Sequence, residues 1–150
     1  MGTRRKAREA SLQFLFQDDF SEELDVDEQA FEERFARFCG LYQISRRARP
    51  YALELLLGIR LKIEDIDSAI RLHATNWRLE RIAGMDRNLL RIGIYELLFV
   101  TDVPAQVAIN EAVEIAKRFG SEDSPAFVNG VLDAVQQSTE QSDPGTDRSS

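Results

Sequence analysis

The stretch Asp86-Arg87-Asn88-Leu89-Leu90-Arg91-Ile92-Gly93-Ile94-Tyr95-Glu96-Leu97-Leu98-Phe99 decides the fold class. On a helix advancing about 100° per residue, Leu89, Leu90, Ile92, Ile94, Leu97 and Leu98 fall on nearly every side. A helix that is apolar nearly all round belongs at the buried centre of a helical lobe. Downstream, Thr101-Asp102-Val103-Pro104 reads as a turn and helix start. The next helix carries Ala108, Ala112, Ile115, Ala116 and Phe119 on its apolar stripe and ends at Gly120. Ser124-Pro125 supplies an N-cap followed by proline at the first helical position. The last helix then packs through Val128, Val131, Leu132 and Val135.

Upstream, residues 73–84 are mixed, with Thr75-Asn76-Trp77 starting a short helix, and mark a junction between two lobes. A segment from Arg46 to Leu72, capped by Ser45, carries Leu53, Leu56, Leu57, Leu61, Ile66 and Ile70 and is long enough to bend. Pro50 lies in its first turns, where a missing N–H costs little. A helix over Asp27–Phe38 places Phe31, Phe35 and Phe38 on one stripe, with Gly40 just past its end. The first helix runs from Arg4 to Phe20, with Thr3 as its cap. No run alternates polar and apolar residues, so the chain is predicted to be all-α, with lobes of about 1–76 and 77–135. From Gln136 onward the Ser/Gln/Asp-rich sequence reads as a disordered tail, residues 136–150.

The 150 residues suit one compact domain, or two small lobes sharing a core. A 43% hydrophobic share is ordinary for a globular chain. No apolar stretch reaches the roughly 18 residues needed to span a bilayer. The basic N-terminus lacks the apolar run of a secretory signal, and these features fit a cytoplasmic protein. The single cysteine, Cys39, reads as a small buried residue, and no Cys/His cluster has zinc spacing. There is no phosphate-binding glycine loop, no cofactor motif and no carboxylate pair singled out for catalysis, so the sequence predicts a non-enzymatic protein without metal or cofactor.

Charge is unevenly placed. Nineteen Lys+Arg against 26 Asp+Glu give −7, yet the first eight residues carry four positive charges and no acid, leaving −11 on the remainder. Arg5, Arg8, Leu12 and Phe16 follow one another at helical spacing, so guanidinium groups and an aromatic ring share a flank. That combination suits single-stranded nucleic acid, with cations for phosphates and a flat ring for a base. It is equally the pattern of a solvated basic helix start with one more core phenylalanine. Cations near a helix N-terminus oppose the macrodipole, which weighs against leaving them idle. Phe127 opens the last helix beside its core stripe: it either widens that stripe or stacks a base beside the helix N-terminus. Arg87, Arg91 and Tyr95 form a four-residue line suited to structural ion pairing, and Glu114 with Arg118 to a solvated pair. His73 reads as structural and Trp77 as a hydrophobic anchor at the lobe junction.

The succession Arg4-Arg5-Lys6-Ala7-Arg8-Glu9, Leu90-Arg91-Ile92, Tyr95-Glu96-Leu97 and Asp102-Val103-Pro104 resembles the NusB family. Val107 to Ala112, Ala116-Lys117, Phe119-Gly120 and Phe127 to Asp133 extend the resemblance in order and spacing, so that it covers Arg4 to about Val135. Ser21 to Gln43 match only in helical character. The resemblance implies two packed helical lobes, an N-terminal and a C-terminal helix bundle, within one RNA-binding domain. It implies a transcription antitermination factor that binds the BoxA element of ribosomal RNA transcripts together with NusE, a small-subunit ribosomal protein, and joins RNA polymerase with other Nus factors. A basic ribosomal partner would supply the positive field that this acidic body lacks.

By the same resemblance, RNA contacts fall on Arg4, Arg5, Lys6 and Arg8, on Asp123 and on Phe127, and NusE contacts on Phe16 and Asp86. Phe16 stands where relatives have tyrosine, so a hydroxyl is lost there while packing remains. Pro125-Ala126 stand where some relatives carry polar or basic residues, which weakens phosphate attraction. Two other classes are weighed. NusB-like domains also occur fused to rRNA cytosine methyltransferases, for which 150 residues leave no room. A self-associating helical scaffold, including a possible homodimer, would bind protein without intrinsic RNA binding.

Overall fold

Phe14 shows how the first lobe is built. In the computed structural model, which describes residues 2–21, 25 and 27–142, this ring meets Phe31, Phe35 and Phe38 edge-on at centroid distances of 5.6, 5.7 and 5.2 Å. Edge-to-face geometry sets the positive rim of one ring against the negative face of another and adds about 0.5–1.5 kcal/mol per pair to area burial. The three partners lie on one stripe of helix α2 (Glu28–Leu41), and Phe14 on α1 (Gly2–Asp18). Helix α1 also packs on α3 (Arg49–Leu61). The buried Ala7, Ala10, Ala48 and Ala52 keep side chains small along these elements. The Ser11 hydroxyl donates to the Ala52 carbonyl at 3.4 Å.

The ends of α2 refine the sequence reading. Asp27 caps it, its carboxylate accepting from the Ala30 amide at 2.9 Å. Gly40 does not end it. The left-handed residue is Gln43 (φ 54°), and the Ile44 amide reaches back to the Cys39 carbonyl at 3.0 Å, closing a Schellman turn. The Arg49 guanidinium donates to the Ile44 carbonyl at 2.9 Å and to the Cys39 carbonyl at 3.4 Å, so the turn is held with Gln43 rather than glycine in the left-handed position. Ser45 makes no side-chain cap: a short 3-10 turn over Arg46–Ala48 leads into α3, with Pro50 in its first turn. Cys39 is buried, and that burial pushes its thiol pKa up, as an unreactive core thiol requires.

Charge closes this lobe. Arg34 grips Asp25 bidentately, Nε to Oδ1 at 3.1 Å and Nη2 to Oδ2 at 2.8 Å, while its Nη1 lies 2.8 Å from Asp18. Arg60 reaches the same Asp25 at 3.4 Å and lies over the Phe31 ring. The Arg34 hydrogen bonds hold the Asp25 carboxyl below its ordinary 3.8, against burial, which pulls the other way.

The long segment expected from Arg46 to Leu72 breaks at Lys62, whose amide bonds the Gly58 carbonyl at 2.9 Å. Helix α4 (Ile63–His73) packs on later helices, so the chain divides into units 1–62 and 63–150, earlier than the junction expected near residue 76. In the second unit α5 (Gly84–Phe99) runs among α4, α6 (Ala105–Phe119) and α7 (Ser124–Ser142). Leu89, Leu90, Ile92 and Ile94 are all buried, as the apolar-all-round pattern predicts. An added Cβ on Gly93 would lie 2.8 Å from Leu132 Cδ1, so the missing side chain sets the approach of α5 to α7. Arg91 clamps Asp67 of α4 at 2.9 and 3.0 Å and donates to Asn88 at 3.0 Å, the structural pairing its spacing suggests. The His73 Nδ1 donates to the Ala69 carbonyl at 3.0 Å. Glu114 pairs with Lys117 at 3.0 Å, and the Arg118 guanidinium lies over the ring of the partly exposed Phe119.

Helix α7 continues past Val135 to Ser142, so residues 136–142 are helix and not the expected tail. Gln136 to Glu140 and Thr139 to Val135, both at 3.0 Å, are i,i+4 bonds that stabilise this polar last stretch. The remaining tail expectation, residues 143–150, lies outside the described residues. Every helix assigned is α or 3-10 and no strand occurs among the described residues, so the chain is all-α. No helix there is long and apolar enough to cross a membrane, and no group of acidic, His or Cys side chains could hold a metal.

Replacing Phe14 by Ala should cost about 3–5 kcal/mol, the usual range for a buried phenylalanine, read as a lower urea midpoint. Because the folded Asp25 pKa is depressed, its contribution is present above pH about 4 and is lost as pH falls through the folded value. Asp25→Asn should therefore lower stability at pH 7 and flatten the loss of stability as pH falls below about 4, measured by thermal unfolding at a series of pH values.

Candidate nucleic-acid interface

The basic cluster lies in the first two turns of α1, with no acid in the first turn. Arg4 is half-buried, its guanidinium 4.3 Å above the Tyr51 ring of α3. Arg8, one turn on, is only 4% exposed and lies 5.9 Å from the same ring. A cation over an aromatic face is attracted by the ring quadrupole, so Tyr51 draws both arginines toward the lobe. Arg5 is half-buried and Lys6 exposed.

The expected flank of Arg5, Arg8, Leu12 and Phe16 is not one open surface: Arg8 and Leu12 are buried, so the line dips into the core and re-emerges at Phe16. Periodicity cannot tell a basic helix face in water from one roofed by a tyrosine 43 residues later in the chain. Phe16 is half-buried and meets Phe20 edge-on at 5.4 Å, with Phe20 largely exposed. That pair gives the end of α1 an aromatic, apolar character suited to a protein partner.

In the second unit, Asp86 lies in the first turn of α5, which begins at Gly84 rather than at Asp86. It is half-buried, and a carboxylate there is favoured by the helix dipole. Asp123 is exposed in the turn before α7, and its carbonyl accepts the Phe127 amide at 3.1 Å. The buried Ser124 hydroxyl accepts from the Ser121 amide at 2.9 Å, which pins this turn. Phe127 is half-buried, so it is neither a plain member of the core stripe nor a free ring.

Beside Phe127 stands a residue that sequence reasoning placed elsewhere. Trp77, expected as a buried anchor, is 56% exposed and meets Phe127 edge-on, centroids 6.3 Å apart and planes at 76°. Its neighbours Asn76 and Arg78 carried no signal for this, since the buried Leu79 stands equally between Arg78 and Glu80.

A sequence model of the NusB family matches residues 5–137. The chain belongs to the NusB family. A transcription antitermination protein NusB of Desulfotalea psychrophila is 55% identical over 136 residues, covering 91% of this chain and 96% of that protein. Among solved structures, NusB of T. maritima superposes with a TM-score of 0.77 at 38% identity, covering 89% and 90% of the two chains. Antitermination factors NusB and NusE in complex with double-stranded RNA give a TM-score of 0.78 at 29% identity, covering 92% and 98%. The NusB fold is thus shared along almost the whole chain. The family is one of transcription antitermination factors, not of enzymes.

Proposed function

We propose that this chain is an antitermination factor that binds BoxA-type single-stranded RNA of ribosomal RNA transcripts together with a NusE-like ribosomal protein, and joins the RNA polymerase elongation complex in the cytoplasm. The observation that carries this reading is the likeness, over nearly its full length, to a NusB solved with NusE and RNA. That complex contains double-stranded RNA. We assign single strands here because an aromatic side chain such as Phe127 stacks on a base only when the base is unpaired and splayed out.

The residues divide into two tasks. Arg4, Arg5 and Lys6 meet phosphates, Phe127 stacks a base, and Asp123 accepts hydrogen bonds from base amino groups. Arg8, covered beside Tyr51, braces this end of α1 and adds positive potential more than a direct phosphate contact. Phe16 and Asp86 face the NusE-like protein, Phe16 by apolar contact and Asp86 by attraction to a basic partner. With a net charge of −7, the chain alone attracts RNA weakly, and the partner supplies the remaining positive field.

Filter binding of BoxA-like against scrambled RNA, with and without the NusE-like protein, tests the assignment: preference for BoxA should sharpen when the partner is present. Failure to retain RNA in either condition, with light scattering showing only a homodimer, would favour the scaffold reading. Arg5→Ala combined with Lys6→Ala should reduce the slope of log affinity against log salt by about 1.4, at about 0.7 per phosphate contact on single strands. An unchanged slope would remove these two from the phosphate surface. Asp86→Lys should weaken the NusE-like protein several-fold by reversing a rim charge, while RNA binding measured without the partner stays as in the unaltered chain.

A further inference from the structure

The segment between α4 and α5 holds the chain's only tryptophan away from the core, although its neighbours are anchored in it. Ala74 before it is 4% exposed, and Leu79 and Ile82 after it are buried. The Trp77 amide donates to the Ala74 carbonyl at 3.0 Å, and a 3-10 turn over Leu79–Arg81 follows directly. The ring is therefore presented by a pinned turn, not by a loose loop. A single exposed apolar side chain means little by itself. Here a second aromatic, Phe127, lies 6.3 Å away at 76°, and Arg78 and Arg81 expose guanidinium groups with no ion-pair partner among the described residues. The only carboxylate between them in the chain is Glu80.

We propose that Trp77 is a second base-stacking side chain, acting with Phe127 as a two-ring platform, with Arg78 and Arg81 meeting the phosphates that flank the stacked bases. This rests on the RNA-binding reading above and adds to it a basis for strand selection. Successive bases in a duplex lie parallel, so they cannot lie flat on two rings whose planes differ by 76°. Successive bases of a single strand can turn independently, one onto each ring. The platform thus favours unpaired RNA by shape, with no need to read a base edge.

Because Trp77 is the only tryptophan, its emission reports its own surroundings. The full chain is titrated with a BoxA-like single-stranded oligonucleotide, with filter binding in parallel to show that RNA is bound. Trp77 emission should fall by about half at saturation, and the quench should vanish with an oligonucleotide whose central residues are abasic but whose phosphates are intact. Trp77→Ala should weaken RNA binding about five- to a hundredfold, and Trp77→Phe should restore most of it, as expected for loss and partial return of one stacked base. RNA bound with unchanged emission, and with Trp77→Ala equal to the unaltered chain, would overturn the platform while leaving RNA binding by the rest of the surface standing. No RNA bound at any concentration, with or without the partner, would overturn both readings. If Trp77→Ala instead weakened the NusE-like protein and left RNA untouched, the ring would be a protein contact and the platform would fall.

Discussion

Helix α5 cannot exist alone in water. With Leu89, Leu90, Ile92 and Ile94 turned to different sides, only the line of Arg87, Arg91 and Tyr95 stays partly exposed over its middle turns, and α4, α6 and α7 cover the rest. Enclosure then imposes a second condition. Polar groups carried inside need partners, and Arg91 meets it by binding Asp67 and Asn88 together. Such a clamp offers less net stability than its geometry suggests, because two charges lose water to form it. Its value lies in position: one side chain ties α4 to α5 at a defined height along both. What remains outside this enclosure includes the turn carrying the exposed Trp77 and the first turn of α7 with the half-buried Phe127.

Much of this was legible in the sequence because apolar periodicity is a direct record of burial. The run from Leu89 to Leu98 and the Phe31, Phe35, Phe38 stripe both report it. Boundaries were less legible. Gly40 looked like a terminator, but a helix ends where its last carbonyls find partners, and Arg49 supplies one to the Cys39 carbonyl from beyond the turn. Nothing around Lys62 marks a break, since no proline or glycine is needed when the next helix simply packs elsewhere. The residues after Val135 looked disordered by composition, yet side-chain bonds four residues apart continue α7 there.

The candidate site was legible as residue types and not as accessibility. Arg4, Lys6 and Phe127 could be picked out from charge and position, whereas the covering of Arg8 depends on Tyr51 in another helix. Trp77 shows the opposite case, a large ring whose size suggested burial and whose turn holds it out. The two lobes also use charge differently. Arg34, Asp25 and Arg60 consume cations internally, so a count of basic residues overstates what the surface can offer a polyanion.

Gly93 carries a consequence beyond its own position. Leu132 comes so near its Cα that a single methyl group there would collide at 2.8 Å. Phe127 stands five residues before Leu132 on the same rigid helix. The location of that ring relative to α5 is therefore inherited from an atom that is absent. A change that thickens α5 at Gly93 must be absorbed by the Leu132 side chain or by a shift of α7, and such a shift would carry the aromatic surface with it. The position of this aromatic surface can thus be set deep in the core, at a residue with no side chain of its own.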